Sequence, residues 1–423
     1  MRSRALNDAH IALYDIDAKR LEDSRIMLEA INANINKSRA TITAHLGVRS
    51  RTKALSGADY VLNAVQVGGY DPCTITDFEI PKKYGLRQTI GDTIGIGGIF
   101  RALRTAPVML EFAKDMERVC PDAWFLNYTN PMSILTGVML KGTPIKTVGL
   151  CHSVQVCAQT ILQNTGLWKD VKKLRHRIAG INHMAWLLEV YDSKKDLYPE
   201  IKKRAEKIVK SARKSGAEKH PDMIRMEMMR HFGYYLTESS EHSAEYYPYW
   251  IKERFPELIE EFNIPLDEYP KRCLQQIKDW EKQRDMLVCN KKLTHKRSHE
   301  YASYIVEAME TGTPFNFGGN IRNSGLISNL PDDAVVEIPC TADRSGVSGC
   351  LVGKLPEQLA ALNRIHINVH LLMIDAVLEK SMDKIYCAAL IEPRLASELP
   401  ADKIKKLVDD MIEAHGVWLS EYT

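Results

Sequence analysis

The chain predicts an α/β fold with a doubly wound parallel sheet, followed by an α+β region. Three observations carry this. Short β-rich runs alternate with helical stretches as far as about Gly180, the pattern of a parallel sheet with crossover helices. The carboxyl ends of those runs are polar and glycine-rich, and open α/β sheets bind ligands at that edge. After Gly180 the alternation gives way to a charged, mostly helical region.

Taken in order, Ile11–Asp17 reads as a strand ending in two carboxylates, and Ala18–Ile35 as the helix after it. Thr41–Gly47 and Tyr60–Gly69 are the next strands, the latter running into glycines. Phe100–Val119 has apolar residues near i, i+3 and i+4, the helical period. Ala123–Pro131 is a strand stopped by Asn-Pro, and Lys146–Ser153 repeats the pattern. Beyond it, HMAWLLEVYD reads as a strand and a helical stretch extends to about Met309. Phe315–Asn320 and Ala334–Cys340 are β-rich, and helices at Pro356–Glu379 and Ala401–His415 close the chain. This divides the protein into a dinucleotide-binding domain at 1–180 and an α+β substrate domain at 181–423.

The length of 423 residues suffices for two sizeable cores. Apolar residues at 45% and charged residues at 26% are ordinary for a globular protein. A net charge of +3, from 57 basic and 54 acidic residues, gives no electrostatic case for nucleic acid or an anionic membrane. No apolar run is long enough to span a bilayer, and the N-terminal residues lack the apolar core of a signal peptide. Nine scattered cysteines, an odd number, read as reduced thiols in the cytoplasm.

Several strand ends carry chemistry. Asp15 and Asp17 stand where an acidic residue hydrogen-bonds an adenosine ribose, although Asp17 also suits a helix cap. GDTIGIGG opens a helix with glycines, and a helix N-terminus favours anions or hydroxyls. Asn127 and Asn130 in NYTNPM can hold sugar hydroxyls or a nicotinamide ribose, or can simply form the Asn-Pro turn. Cys151 ends one strand and His183 follows a later one, next to Asn182. A thiolate and an imidazole there supply two ligands for a divalent ion, although a lone Cys or His is more often buried structure. TESSEHSAEYYPYW crowds Glu238, Glu241, His242, Glu245, Tyr246 and Tyr247 together, a density of titratable groups that marks a site unless it is a solvated helix face. Asn320, Arg322 and Asn323 lie in a glycine-rich stretch suited to a polar ligand.

These segments together resemble glycoside hydrolase family 4. LYDID, VQVGGYDPCTITDFEIPKKYGL, GDTIGIGGIFRALRT, NYTNPM, VGLCHSVQ, GINHMAW, TESSEHSAEY, PLDEYPKRC and NIRNSGLISNLP match in family order. CHSVQ with TESSEHSAEY is most similar to the α-galactosidase branch that acts on melibiose-type sugars. His152 stands where the 6-phospho-sugar branch has an aspartate or asparagine, which points to unphosphorylated substrates.

The resemblance implies a redox route that departs from the two-carboxylate scheme: oxidation at C3 by NAD, proton abstraction at C2, elimination at C1, hydration and return of the hydride. It also implies a divalent metal, usually Mn2+, held by Cys151 and His183. Tyr246 becomes the base, with His242 and Glu245 as rival bases or hydroxyl contacts, and His152 the general acid. Asn130, Asn182 and Arg322 become sugar or metal-shell contacts, and the assembly a homo-oligomer. Related α-glucosidase and α-galacturonidase activities stay open. So does a different class, an NAD-dependent 2-hydroxyacid dehydrogenase, which shares the nucleotide fold but lacks the Cys-His pair.

One departure stands out. Family members start with an apolar strand and a G-x-G-S loop whose backbone reaches the pyrophosphate, and nothing upstream of IALYDID supplies these. The missing strand belongs between those beginning at Ile11 and Tyr60. The sequence therefore reads as a fragment or misassigned start of a complete enzyme, or as an inactive truncated relative, with weakened NAD affinity expected.

Overall fold

A computed structural model describes residues 3–214 and 216–422. Strands β1 (His10–Asp15) and β2 (Thr41–Leu46) pair in parallel around the Ala18–Asn36 helix. Asp17 caps that helix, its carboxylate accepting the Arg20 N–H at 2.8 Å, so the capping role is the one the local geometry serves.

A six-stranded sheet follows. Its members are β3 (Tyr60–Asn63), β4 (Trp124–Asn127), β5 (Lys146–Gly149), and, after four strands described below, β10 (Phe315–Arg322), β11 (Val335–Asp343) and β12 (Gly346–Gly349), in the spatial order β12-β11-β10-β5-β4-β3. The pairs among β3, β4 and β5 are parallel, as the alternating pattern requires, while β10, β11 and β12 join antiparallel. The strand residues are mostly buried, as in a sheet covered on both faces. The segments 1–180 and 181–423 thus share one sheet, and both large apolar clusters draw residues from each side of that division. No described strand links β1 to β3, so β1 and β2 form a separate two-stranded sheet.

The third sheet contains β6 (Leu174–Ala179), β7 (Trp186–Asp192), β8 (Lys195–Asp196) and β9 (Tyr235–Leu236), with β9 paired to β7. The long Gly95–Val119 helix starts five residues before the Phe100 read from sequence. At Gly98 a Cβ would stand 2.5 Å from the Thr93 carbonyl carbon, so only glycine lets the GDTIG loop lie on the first turn. No helix among the described residues is long and apolar enough to cross a membrane.

Candidate active site

Strand register places a row of polar residues along the carboxyl edge. Asn63 faces Asn127, Asn127 faces Gly149, Gly149 faces Asn320, and Asn320 faces Glu337. The row ends where Glu337 bridges Gly180. Asn63 donates to the Asn127 side chain at 2.8 Å, and Asn320 donates to Glu337 at 3.0 Å. A side chain at Gly149 would meet Asn320 Cβ at 2.9 Å, so glycine makes room for the asparagine.

Above the end of this row lies a compact cluster. Cys151 follows β5 by two residues. His183 sits in the turn between β6 and β7. The β7–β9 pairing, continued by the Thr237 N–H to the Ala185 carbonyl, brings Glu238 opposite that turn. One ligand atom from each of Cys151, His183 and Glu238 lies within 4.8 Å of the others. His183 Nε2 is 3.3 Å from the Glu238 carboxylate, and its Nδ1 is 2.7 Å from the Tyr246 hydroxyl. Tyr246 ends the Ser240–Tyr246 helix one turn after His242, whose ring packs edge-on to His183 at 5.0 Å. Asp92, from the loop before the long helix, accepts from Thr93 at 2.7 Å and from Asn130 at 3.4 Å.

The electrostatics suit a cation. Burial pushes the Cys151 thiol up, and the Glu337 and Glu238 charges add to it. Burial opposes ionisation of Glu238, but His183, His242 and the Ser239 N–H outweigh it and hold the carboxyl at about 2. Asp92 is also lowered: burial works against it, and Arg101, His242 and His183 prevail. Tyr246 is raised well above the phenol range by burial, then by Asp92 and Glu238. A thiol, an imidazole and a carboxylate, surrounded by further anionic groups, fit a divalent metal, whose charge reverses the penalty on the thiolate and phenolate. With Nδ1 turned to Tyr246, His183 has Nε2 free to ligate.

The structure brings together Cys151, His183, Tyr246 and His242, with Asn130 joined through Asp92 and Asn182 through Glu337. Two of the residues expected to touch substrate point elsewhere. Glu245 is buried and accepts backbone N–H groups from Thr89 at 2.9 Å and Gly91 at 2.8 Å, so it clasps the chain leading into the GDTIG loop. Arg322 is exposed and pairs with Asp333, because its position at the end of β10 carries it past the buried row. His152 lies outside the buried cluster, its exposed ring bonded to Glu300 and stacked on Tyr128 at 5.7 Å. Asp15 is engaged by Arg20 through two contacts at 2.6 Å.

Three residues of the site had no role from sequence. Glu238 was visible only as one acid in a crowded motif. Asp92 was hidden in a segment whose glycines drew attention. Glu337 had a signal, a lone acid inside the apolar run AVVEIPC.

The model of the family 4 glycosyl hydrolase C-terminal domain matches residues 178–395, and the family 4 glycosyl hydrolase model matches residues 1–167. The chain belongs to glycosyl hydrolase family 4. That membership removes the hydroxyacid dehydrogenase reading. This family 4 protein is 57% identical over 420 residues to an alpha-galactosidase of Bacillus subtilis (strain 168), covering 99% of this chain and 94% of that one. Its structure is similar to the crystal structure of lplD from Bacillus subtilis, with a TM-score of 0.81 and 27% identity, covering 95% of this chain and 92% of that one. It shares its Rossmann-like fold with a 6-phospho-alpha-glucosidase from gut microorganisms in complex with NAD and Mn2+, at a TM-score of 0.75 and 23% identity, covering 98% and 94%.

Proposed function

We propose that this family 4 enzyme hydrolyses α-galactosides such as melibiose, with NAD and a divalent cation, Mn2+ first among them, as cofactors. The observation that carries the reading is His183, placed between a Cys-Glu pair and the hydroxyl of Tyr246, in a chain 57% identical to an alpha-galactosidase. When bound, NAD supplies hydride acceptance and return at C3 of the sugar, and the cation supplies Lewis acidity at the neighbouring oxygens.

The chain's own residues do the rest. Cys151, His183 and Glu238 hold the cation. Tyr246 takes the proton from C2, its phenolate stabilised by the imidazole N–H at 2.7 Å. Asp92, His242, Asn130 and Asn182 bind and orient sugar hydroxyls. Asp15 binds the adenosine ribose. His152, held by Glu300, protonates the departing group. A metal-ligating thiol favours the cytoplasm, where it stays reduced, and the family resemblance favours a homo-oligomer.

Hydrolysis of p-nitrophenyl α-galactoside, compared with the α-glucoside, tests the assignment. Turnover of the galactoside is expected only with NAD, Mn2+ and a thiol reductant present. Turnover that survives dialysis and chelation without all three sinks the mechanism, and a preference for the glucoside overturns the substrate.

A further inference from the structure

We infer that Glu337 is a positioning residue for the metal ligand His183. The inference rests on the metal-site reading above. His183 adopts a left-handed backbone conformation, φ 63°, a strained state for a non-glycine residue that persists only where the surroundings enforce it. Glu337 supplies that enforcement from two sides of the turn. Its backbone N–H donates to the Gly180 carbonyl at 2.9 Å, and the Gly180 N–H donates to its carbonyl at 3.0 Å. Its side-chain Oε1 accepts from the amide of Asn182 at 3.2 Å, next to His183 in the chain. The same oxygen accepts from Asn320 at 3.0 Å, and Asn320 is bound in turn to the Gly149 carbonyl at 3.4 Å, two residues before Cys151. One carboxylate oxygen therefore links the chain segments that present both the thiol and the imidazole.

The bracing role does not depend on the charge of the acid. Glu337 is fully buried, and its Oε2 has no hydrogen-bond partner among the described residues. Burying a carboxylate in that state is costly, whereas the two asparagine amides need only one acceptor oxygen. Glutamine supplies that acceptor, and this separates the bracing role from the charge.

The test measures Mn2+ affinity by electron paramagnetic resonance on full-length protein without NAD or sugar, well below the melting temperature. Glu337→Ala and Asn182→Ala are expected to weaken binding roughly 10–100-fold, the range for partners that orient a metal ligand. Glu337→Gln is expected to bind close to wild type. Co2+ substitution gives a second readout, since the thiolate-to-cobalt absorption band reports whether Cys151 and His183 still share the ion. If Glu337→Ala does not fold, Asn182→Ala together with Glu337→Gln decides. Wild-type affinity in a folded Glu337→Ala or in Asn182→Ala overturns the inference, as does a Glu337→Gln as weak as the alanine variant. No Mn2+ binding by wild type, or undiminished binding by Cys151→Ala, would instead overturn the metal-site reading.

Discussion

The two ends of the carboxyl edge are built to different standards. At the end proposed to hold the sugar, Cys151, His183, Tyr246 and Glu337 are buried, and the last three are each bonded to a neighbour from a distant part of the chain. At the end proposed to hold the nucleotide, Asp15 stands near the surface in a two-stranded sheet of its own, bound to an exposed arginine from the adjoining helix. Apolar Ile16, Leu46 and Leu62 are exposed there. One end positions reacting groups in advance, which is where preorganisation contributes most to catalysis. The other relies on short-range contacts that solvent weakens.

The largest effect should come from the preorganised end. Tyr246→Phe removes one oxygen from a fully buried ring and leaves Cys151, His183 and Glu238 in place. As loss of a general base, it should lower kcat by about 10²–10⁴-fold while Mn2+ affinity stays near wild type. Steady-state kinetics beside metal titration separates the two. A variant that keeps kcat moves the base to His242, and one that loses Mn2+ makes Tyr246 part of the metal's support.

Glu337 sharpens the same contrast through pH. Burial raises its carboxyl from 4.5 to about 7, against the lowering influence of His183, Asn320 and Asn182. The folded state therefore binds this proton more tightly than the unfolded state does. The stabilisation is fully present below the unfolded value of 4.5 and is lost as pH rises through about 7. A shift of that size is worth at most about 3 kcal/mol. Metal-free Glu337→Gln should accordingly gain on wild type in thermal stability between about pH 5 and pH 8, and lose that advantage in acid. Parallel melting curves that fail to diverge across that range would remove the buried charge from the picture.

How much of this was legible in the sequence follows from what each residue does locally. The helices Ala18–Asn36 and Ala401–His415 fall close to their expected bounds because caps and apolar period are local signals, whereas Gly95–Val119 runs five residues further into the glycine-rich segment than its apolar period shows. The antiparallel attachment of β10 to β5, with β11 beyond it, was not visible, since pairing across 171 residues leaves no periodic trace. The same reason explains the errors at Glu245 and Arg322. An acid next to a tyrosine reads as a site residue until the fold shows the backbone amides of Thr89, Ile90 and Gly91 turned onto it. Glu337 is the opposite case: its apolar surroundings announced a buried acid, but only register with Asn320 and Gly180 gives it a task.

The smallest effect belongs to the nucleotide end. Arg20 occupies both oxygens of Asp15, so a ribose hydroxyl that donates to this carboxylate must compete with the guanidinium. The arginine side chain is mostly exposed, and an ion pair of that kind contributes roughly 0–1 kcal/mol. Arg20→Ala should therefore leave the melting temperature nearly unchanged and NAD affinity equal or slightly tighter. Asp15→Ala should weaken NAD by about 1.5–3 kcal/mol, the range for a hydrogen bond to a charged group. Equilibrium dialysis of NAD against both variants gives the comparison. If Arg20→Ala weakens NAD as strongly as Asp15→Ala does, the arginine itself contacts the cofactor, and the nucleotide end is as preorganised as the sugar end.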